Sequence, residues 1–578
     1  MSWRHGQYVF FCIVPVAVQR SNNTWTYKNK VNDMATCGEV LVKLLEGYGV
    51  DHVFGIPGVH TVELYRGLAG SSIRHVTPRH EQGAGFMADG YARTRGKPGV
   101  CFIITGPGMT NITTAMGQAY ADSIPMLVIS SVQARRQLGG GRGKLHELPH
   151  QSGLVAGVAA FSHTLMSADD LPQVLARAFA VFDGSRPRPV HIEIPLDVLV
   201  EPAGHLLESR PVRTSRAGPA PLAVAQMAAR LALARRPLIL AGGGALAAGA
   251  ALRQLAEHLQ APVALTINAK GLLAADHPLQ IGSSQSLPAT RALVAEADVV
   301  LAIGTELAET DYDVTFKGGF EIPGSLLRID IDPDQTVRNY LPELALVADA
   351  DLAAQALLVA LHAQPKPPRD RAWGAARAGQ LRSALAADWD LPTRSQTRLL
   401  TTILETLPNA VLVGDSTQPV YSGNLTLDMD APRRWFNAST GYGTLGYALP
   451  AAMGAWLGSA ESIGERAPAV CLIGDGGMQF TLPEFASAVE ARVPLIVLLW
   501  NNQGYEEIKK YMLNRAIEPI GVDIHTPDFI GVARALGGAA CAAGDVAQLR
   551  EALLQAIERN GPTLIQVDQA AWQQAVPC

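Results

Sequence analysis

The chain has 578 residues, of which 48% are hydrophobic and 17% are charged, and its net charge is −5 at pH 7. These values allow several domains with large cores, and they exclude global disorder and a strongly basic nucleic-acid-binding protein. Six cysteines are scattered without paired spacing, so we expect thiols in a reducing, cytoplasmic compartment rather than a zinc site or a disulfide framework. No stretch of about 20 apolar residues occurs, so no membrane span is expected.

Strand and helix patterns divide the chain into three blocks. Residues 1–33 precede the first periodic segment, and we expect this extension to be disordered. Strands alternate with helices in residues 34–205, 222–365 and 391–578, which is typical of doubly wound domains with parallel sheets. Residues 201–221 are rich in Pro, Arg and Ser and are interpreted as a linker. We therefore predict an α/β protein with three doubly wound, parallel-sheet domains.

The most informative segment of the first block is Arg79–Gly85, which follows an amphipathic helix pattern and a strand over residues 50–54. Glu81 lies beside glycines at the start of a helix. A carboxylate in this position commonly caps the helix or interacts with its dipole. A catalytic role for Glu81 is the alternative interpretation.

Two later strands of the first block end at Thr105 and Gln133. The glycine-rich loop 139–151 follows, and it carries His146 and Glu147. Both side chains are candidates for general acid or base catalysis. An exposed loop surface without a catalytic role is the other interpretation.

The middle block contains a strand over residues 237–241 that leads into three glycines. A single glycine-rich turn is weak support for a dinucleotide site, so a structural use of these glycines is favoured over FAD binding. A later buried strand is followed by an acidic loop that carries Glu309, Asp311 and Asp313. This loop is either an exposed acidic surface or a site for a cationic group such as a guanidinium, which pairs with carboxylates in a bidentate manner.

In the third block, a buried strand over residues 469–473 ends in the turn Gly474–Gly477, which contains Asp475. A helix pattern follows, and a second buried strand, residues 494–500, ends near Asn502. Because parallel sheets bind ligands at the carboxyl ends of their strands, we expect Asp475 and Asn502 to lie close together. Glycine N–H groups suit a phosphate, and a carboxylate with carbonyl oxygens suits Mg²⁺. A turn in which Asp475 only caps the helix is the alternative.

The sequence Gly-Asp-Gly, followed by two asparagines with Asn502 27 residues after Asp475, resembles the fingerprint of thiamine-diphosphate enzymes. The segment RHEQGAGFMADGYAR, residues 79–93, is similar to the corresponding motif of acetolactate synthases. The resemblance extends from about residue 35 to about residue 567. It implies a Mg²⁺-dependent enzyme acting on 2-oxo acids, with a pyrimidine-binding domain, a central Rossmann-like domain and a diphosphate-binding domain.

The resemblance also implies roles for individual residues. Glu81 would hydrogen-bond the aminopyrimidine ring and favour the imino tautomer that removes the C2 proton of the thiazolium. Leu445 would lie beneath the cofactor and impose its bent conformation, and Gly443 would offer a backbone group to the pyrimidine. The implied metal ligands are Asp475, Asn502 and Gly504. The other implied cofactor-binding positions are Ser416, Thr417, Thr444, Gly474, Gly476, Gly477 and Tyr505.

Two further segments, NNQGYEEIKKYM and GRGKLHELPHQ, are similar to those of the 2-ketoarginine (5-guanidino-2-oxopentanoate) decarboxylases of arginine catabolism. The favoured prediction is therefore a carboxy-lyase that converts 2-ketoarginine to 4-guanidinobutanal and CO₂. The helix start after Asn502 carries two more carboxylates, which either favour the helix N-terminus or face the substrate. The predicted substrate contacts are Thr105, Gln133, Glu309, Asp311, Asp313, Glu506 and Glu507.

Two alternative functions and an oligomeric state also follow from the resemblance. An acetolactate-synthase-like carboligase would act on pyruvate, often with FAD in the middle block. A non-catalytic protein of the same fold is disfavoured by the combination of Glu81, Asp475 and Asn502. In the family, sites lie between two chains, so the resemblance implies a homodimer or a homotetramer.

Overall fold

The computed structural model describes residues 35–312, 320–365, 370–462 and 466–576, and the predicted extension at residues 1–33 lies outside them. Three α/β domains follow one another along the described chain. The strand pairs that form each of the three sheets are parallel, and helices cover the sheets. The predicted fold class is confirmed. No helix in the described part of the chain is both long and apolar enough to span a membrane.

Six strands form the sheet of the N-terminal domain: β1 (His52–Gly55), β2 (Arg74–Val76), β3 (Gly99–Ile103), β4 (Met126–Val132), β5 (Phe161–Thr164) and β6 (Val190–Pro195). Their order across the sheet is β2-β1-β3-β4-β6-β5. Every residue of β3 is buried because helices cover both faces, which is why this strand is almost entirely apolar. The helices are Cys37–Gly47, Val62–Leu68, Glu81–Arg95, Pro107–Ala121, Gln151–Leu154, Leu171–Gly184 and Leu196–Leu199.

Five strands form the sheet of the central domain: β7 (Pro237–Ala241), β8 (Val263–Leu265), β9 (Val299–Ile303), β10 (Ser325–Asp330) and β11 (Leu344–Val347). Their order is β11-β10-β9-β7-β8. A Cβ atom at Gly242 would overlap the carbonyl oxygen of Gly304, so close packing of two turns accounts for this glycine. The helices are Pro221–Ala232, Gly249–Leu259, Pro288–Glu296, Glu309–Tyr312 and Ala350–His362, with Ala375–Asp388 after them.

Six strands form the sheet of the C-terminal domain: β12 (Val411–Gly414), β13 (Trp435–Asn437), β14 (Ala469–Gly474), β15 (Ile496–Asn501), β16 (Ala539–Ala542) and β17 (Thr563–Asp568). Their order is β13-β12-β14-β15-β17-β16. The predicted helix after β14 is divided into two short helices, Asp475–Thr481 and Glu484–Glu490. The other helices are Leu391–Thr406, Gln418–Thr426, Ala448–Ser462, Glu506–Asn514, Phe529–Ala535, Val546–Ile557 and Gln569–Ala575.

Two helices join the N-terminal and C-terminal domains. Helix Glu81–Arg95 packs along helix Ala448–Ser462. A Cβ atom at Gly90 would overlap a backbone carbonyl of the facing helix, and a Cβ atom at Gly454 would do the same in the other direction. The two backbones therefore touch, and buried apolar residues of both domains form one continuous core.

Candidate active site

Asp475 and Asn502 meet at the carboxyl edge of the C-terminal sheet. Strands β14 and β15 are neighbours, with Gly474 paired to Trp500, so the residues that follow the two strands lie side by side. One terminal atom of the Asn502 amide lies 3.0 Å from Asp475 Oδ1 and 3.0 Å from the Gly504 carbonyl oxygen. With nitrogen in this position the amide donates to both oxygens. With oxygen there, three oxygens converge on one point, and a cation between them would remove their repulsion.

This oxygen set fits a hard divalent cation. The described residues contain no group of three His, Cys, Asp or Glu side chains placed to hold a metal ion. The candidate ligands at this point are one carboxylate, one amide oxygen and one backbone carbonyl oxygen. Mg²⁺ accepts such a set of oxygen ligands. Asp475 is 1% exposed, and burial raises the pKa of its carboxyl, although a hydrogen bond from the Thr526 hydroxyl at 3.2 Å opposes the shift. A bound cation would offset the cost of this buried charge.

Asp475, Asn502 and Gly504, which we call the metal corner, line a cavity of about 410 Å³. Eight predicted cofactor-binding residues line it, namely Ser416, Thr417, Gly443, Leu445, Gly474, Gly476, Gly477 and Tyr505. Two predicted substrate residues, Glu506 and Glu507, line the same cavity. Four lining residues were not predicted: Gln418, Tyr421, Ser439 and Ile508. The position of Gln418 directly after the Asp-Ser-Thr that follows β12 is the sequence signal that could have found it.

Glycine at position 476 is required by the shape of this cavity wall. A Cβ atom there would lie 2.6 Å from the ring of Tyr505. Tyr505 precedes helix Glu506–Asn514. The glycine therefore lets the turn after β14 approach the turn after β15, which brings the two ends of the predicted fingerprint together.

The N-terminal domain holds the turn that carries Leu445. The side-chain oxygen of Gln118 accepts hydrogen bonds from the Thr444 hydroxyl at 3.0 Å and from the Thr444 backbone N–H at 3.4 Å. Thr444 is buried, whereas Leu445 is half-buried and faces the cavity. The contact fixes the backbone of residue 444, so Leu445 is presented to the cavity from a supported turn.

A buried ionic network lies beneath the same turn. The Arg93 guanidinium donates to Asp89 at 2.6 Å and to Asp122 at 2.6 Å, and the hydroxyl of Tyr447 donates to Asp89. Thr440 also donates to Asp122, at 3.2 Å. Removal of one partner of such a network leaves an uncompensated buried charge, which is costly. The network therefore fixes the two ends of the turn, at Thr440 and Tyr447.

Glu81 lies at the carboxyl edge of the N-terminal sheet, where it begins helix Glu81–Arg95. Its Oε2 atom accepts a hydrogen bond from the Asn111 side chain at 2.9 Å. A Cβ atom at Gly108 would lie 3.3 Å from its Oε1 atom. Among the described residues, those that line the cavity of the same chain do not include Glu81.

The segment before Glu81 is anchored by Glu484, a residue that sequence reasoning missed. The carboxylate of Glu484 accepts hydrogen bonds from the backbone N–H groups of Arg79 and His80, each at 3.0 Å, and from the Ser487 hydroxyl at 2.8 Å. Glu484 is 1% exposed, and burial raises the pKa of its carboxyl to about 7. Its position within an amphipathic helix pattern gave no signal of a contact with another domain.

The loop after β4 places His146 and Glu147 at the same edge as Glu81. The side-chain amide of Gln133 donates to the carbonyl of Leu145 at 2.5 Å. The Glu147 carboxylate accepts a hydrogen bond from the backbone N–H of Lys144 at 2.9 Å, and hydrogen bonds of this kind lower the pKa of its carboxyl. Glu147 therefore stabilises the turn of its own loop, and its catalytic role stays a prediction.

Two of the predicted substrate residues, Thr105 and Gln133, are buried at this edge of the sheet. Thr105 is 1% exposed, and its hydroxyl lies 2.9 Å from the hydroxyl of Ser131. Gln133, which holds Leu145, is 5% exposed. Substrate contact by either residue stays a prediction.

The acidic loop of the central domain does not line the cavity in the described part of the chain. Its first carboxylate, Glu306, forms an ion pair with Arg186 of the N-terminal domain. Glu309 is exposed. The side chain of Asp311 is not described, and Asp313 lies outside the described residues. Substrate recognition by this loop therefore stays a prediction.

Family models match most of the chain. Residues 35–154 match the thiamine pyrophosphate enzyme N-terminal TPP binding domain, residues 224–357 the central domain, and residues 415–567 the C-terminal TPP binding domain. The chain belongs to the thiamine pyrophosphate enzyme family. Thiamine pyrophosphate is another name for thiamine diphosphate, so the predicted family and its organic cofactor are confirmed, and the cavity lies in the domain that carries the C-terminal match.

Individual relatives of this thiamine pyrophosphate enzyme are similar along nearly its whole length. It is 49% identical over 538 residues to the probable 2-ketoarginine decarboxylase AruI of Pseudomonas aeruginosa, which covers 93% of this chain and 94% of the relative. It is 30% identical to the acetolactate synthase isozyme 1 large subunit of Escherichia coli, over 94% of this chain and 95% of that one. An acetolactate synthase of Mycobacterium bovis is 32% identical over 87% of this chain and 82% of its own. The predicted enzyme class, a thiamine-diphosphate-dependent 2-oxo acid decarboxylase, is confirmed.

Proposed function

We propose that this thiamine pyrophosphate enzyme removes CO₂ from 2-ketoarginine and releases 4-guanidinobutanal. The observation that carries the proposal is that Glu506 and Glu507 line the same cavity as Asp475 and Leu445. Two carboxylates beside the cofactor-binding residues favour a substrate with a cationic tail, and a guanidinium can pair with a carboxylate through two hydrogen bonds. Similarity to the probable 2-ketoarginine decarboxylase over 93% of the chain supports the same substrate.

The cofactor-binding residues divide between two ends of the cavity. Asp475, Asn502 and Gly504 would hold Mg²⁺, and the turn Gly474–Gly477 would lie against the diphosphate. Leu445 would contact the ring system and exclude water from it. Bound thiamine diphosphate supplies an electron sink for the electron pair that remains when CO₂ leaves.

A second copy of the chain would complete the site. Among the described residues, the cavity is lined by the C-terminal domain alone, whereas Glu81 lies at an edge of the N-terminal domain. We therefore propose a homodimer, or a homotetramer of two dimers, in which Glu81 of one copy reaches the cavity of the other. The Glu81 carboxyl would hold a proton at the aminopyrimidine of the cofactor.

Recognition of the substrate tail would depend on Glu506 and Glu507. Gln418 donates to Glu507 Oε1 at 2.6 Å, which fixes this carboxylate at the cavity wall. Lys510 lies 3.3 Å from Glu507 and 3.7 Å from Glu506. Lys510 and Glu507 are exposed and Glu506 is half-buried. Surface pairs contribute only about 0–1 kcal/mol, so a guanidinium can replace the lysine at little cost.

The test compares 2-ketoarginine with 5-ureido-2-oxopentanoate, which has the same length and a neutral tail. We expect kcat/KM for CO₂ release to favour the guanidino compound by about 10-fold or more, the ratio for one hydrogen bond to a charged group. Glu506→Gln or Glu507→Gln should reduce this ratio, whereas Glu558→Gln, a change at an exposed residue of the same domain, should not. Equal use of both compounds by the unmodified enzyme would overturn the proposal.

Carboligation is the second candidate, because acetolactate synthases are 30% and 32% identical to the chain over most of its length. A carboligase would join two pyruvate molecules after the loss of one CO₂. Acetolactate formation from pyruvate at a rate above that of CO₂ release from 2-ketoarginine would favour it. A flavin absorbance spectrum of the purified protein would support the same conclusion.

A further inference from the structure

Gln418 contacts three other residues at the wall of the cavity. It begins helix Gln418–Thr426 and is 6% exposed. Its side-chain oxygen accepts a hydrogen bond from the indole N–H of Trp500 at 3.0 Å, and its side-chain nitrogen donates to Glu507 Oε1 at 2.6 Å. The Asn502 amide nitrogen lies 3.5 Å from the same oxygen of Gln418. One buried amide therefore lies between a candidate metal ligand and a candidate substrate residue.

The partners of Gln418 determine which of its terminal atoms is oxygen. An indole N–H can only donate, so the atom that faces Trp500 is the oxygen. An ionised carboxylate can only accept, so the atom that faces Glu507 is the nitrogen. Both partners require the same orientation of the amide. The atom of Gln418 that faces Asn502 is therefore an oxygen.

This oxygen in turn orients the Asn502 amide. When its nitrogen faces Gln418, its own oxygen lies 3.0 Å from Asp475 Oδ1 and 3.0 Å from the Gly504 carbonyl oxygen. The reverse orientation makes two hydrogen bonds in the metal corner and so competes with cation binding. It also places two amide oxygens 3.5 Å apart at Gln418, and their partial charges repel each other. Gln418 therefore favours the orientation of Asn502 that offers an oxygen to a cation.

The nitrogen of Gln418 acts on the carboxylate of Glu507. Glu507 is exposed, and an exposed glutamate loses rotamer freedom when it binds a ligand. Gln418 and Lys510 both lie at Oε1, at 2.6 Å and 3.3 Å, and among the described residues no hydrogen bond reaches Oε2. The contact with Gln418 thus restricts the side chain before a ligand arrives and keeps Oε2 available to it.

We propose that Gln418 is a positioning residue that serves the cation and the substrate tail together; the second part rests on the proposed function. Its oxygen turns the Asn502 amide oxygen toward the metal corner, and its nitrogen holds Glu507 for the guanidinium. Because one amide makes both contacts, loss of this side chain disturbs two sites. Gln418 takes no part in the chemical step, so its effect is on metal affinity and on substrate discrimination.

The first test measures metal binding without turnover. Mn²⁺ accepts the same oxygen ligands as Mg²⁺, and electron paramagnetic resonance reports its free concentration in the presence of the full-length protein and saturating thiamine diphosphate. Gln418→Met removes both polar atoms and should raise the Kd for Mn²⁺ about 5-fold, the ratio for one hydrogen bond. Asn502→Asp has two equivalent oxygens and needs no orientation. In that background Gln418→Met should not raise the Kd.

The second test measures substrate discrimination at saturating Mg²⁺. Gln418→Met should lower the ratio of kcat/KM for 2-ketoarginine over 5-ureido-2-oxopentanoate about 5-fold, mainly through a higher KM for the guanidino compound. In the Glu507→Gln background the same change should lower the ratio no further, because the carboxylate that Gln418 positions is gone.

Gln396→Met is the matched control for both measurements. Gln396 is also buried, and its oxygen accepts a hydrogen bond from the Ser422 hydroxyl at 2.6 Å, so it supports the helix that carries Gln418. It does not line the cavity in the described part of the chain. Gln396→Met should leave the Kd for Mn²⁺ and the substrate ratio within about 2-fold of the unmodified enzyme.

The outcomes separate this proposal from the proposed function. An equal rise of the Kd for Mn²⁺ in both Asn502 backgrounds would overturn the orienting contact, and an equal fall of the ratio in both Glu507 backgrounds would overturn the second contact. Effects of the same size in Gln396→Met would assign both to the helix as a whole and overturn the positioning role. Equal use of both compounds by the unmodified enzyme would overturn the proposed function, and the Mn²⁺ measurement would still decide whether Gln418 orients Asn502.

Discussion

The Oε1 atom of Glu484 accepts a hydrogen bond from the backbone N–H of His80 at 3.0 Å, and His80 directly precedes Glu81. Glu484 begins the short helix that follows helix Asp475–Thr481. One buried carboxylate therefore connects the element that begins at Asp475 with the segment that positions Glu81 in the same chain. In the proposed dimer these two residues serve different sites, so Glu484 joins the framework of both.

Replacement of Glu484 should change how stability depends on pH. Burial raises the pKa of its carboxyl to about 7, so its stabilising contribution is complete below the unfolded pKa near 4.5 and is lost as pH rises through 7. This loss amounts to about 3 kcal/mol. Glu484→Gln cannot ionise and keeps a side-chain oxygen for the two N–H groups. We expect its thermal unfolding temperature to rise relative to the unmodified protein between pH 5 and pH 8.

Glu490→Gln is the control for this measurement, because Glu490 lies on the same helix, is exposed and pairs with Arg79. Its unfolding temperature should follow that of the unmodified protein over the whole pH range. Parallel curves for Glu484→Gln and the unmodified protein would contradict the prediction.

Complementation between subunits should reveal a shared site. Chains with Glu81→Gln and chains with Asp475→Asn should each be inactive as homodimers. If they are co-expressed and pair at random, half of the dimers contain one chain of each kind, and one of their two sites has both native residues. The expected activity is about a quarter of normal, measured as CO₂ release. A site formed within one chain would give no recovery.

Mg²⁺ and thiamine diphosphate should stabilise the protein together. A ligand at 100 times its Kd contributes about 2.7 kcal/mol to the folded state. Thermal unfolding should therefore shift upward when both are added and return when EDTA removes the metal. Asp475→Asn removes the carboxylate of the metal corner and should abolish most of the shift. Glu558→Gln should retain it, and a full shift in Asp475→Asn would exclude Asp475 as a ligand.

Leu445 should matter for catalysis rather than for folding. Leu445 is half-buried at the cavity wall, so removal of its side chain would not create an enclosed empty space. Leu445→Ala should therefore cost less than about 1 kcal/mol of stability. Leu472→Ala, in the buried strand β14, should cost about 2–5 kcal/mol. We expect kcat/KM for CO₂ release to fall at least about 10-fold in Leu445→Ala. A large loss of stability at Leu445 would indicate a packing role instead.

The metal corner was predictable because its two residues depend on local patterns. Asp475 and Asn502 each follow a continuous apolar strand, and consecutive strands of a parallel sheet are usually neighbours, so their carboxyl ends had to meet. The alternation of strands and helices likewise predicted all three sheets. These inferences need only the order of elements along the chain and not their packing against other domains.

Other residues of the site could not be predicted from local sequence. Glu484 has its partners 404 and 405 residues away, and its helix pattern identifies it only as one position of an amphipathic segment. His60 is a single histidine in the loop after β1, and the ring of His146 lies 5.2 Å from it between ring centroids. This contact depends on how a distant loop packs beside His60. Contacts of this kind arise from the docking of separate elements, for which a pattern of apolar residues carries no information.

The direct backbone contact at Gly90 and Gly454 limits how the enzyme can open. Because the two helices have no side-chain layer between them at these glycines, the terminal domains of a chain cannot rotate about this contact without losing a continuous core. In the proposed dimer, a bulky cofactor would therefore enter either by displacement of surface segments or by partial separation of the two subunits. Release of the cofactor from the assembled enzyme should then slow as protein concentration rises if subunit separation is the route.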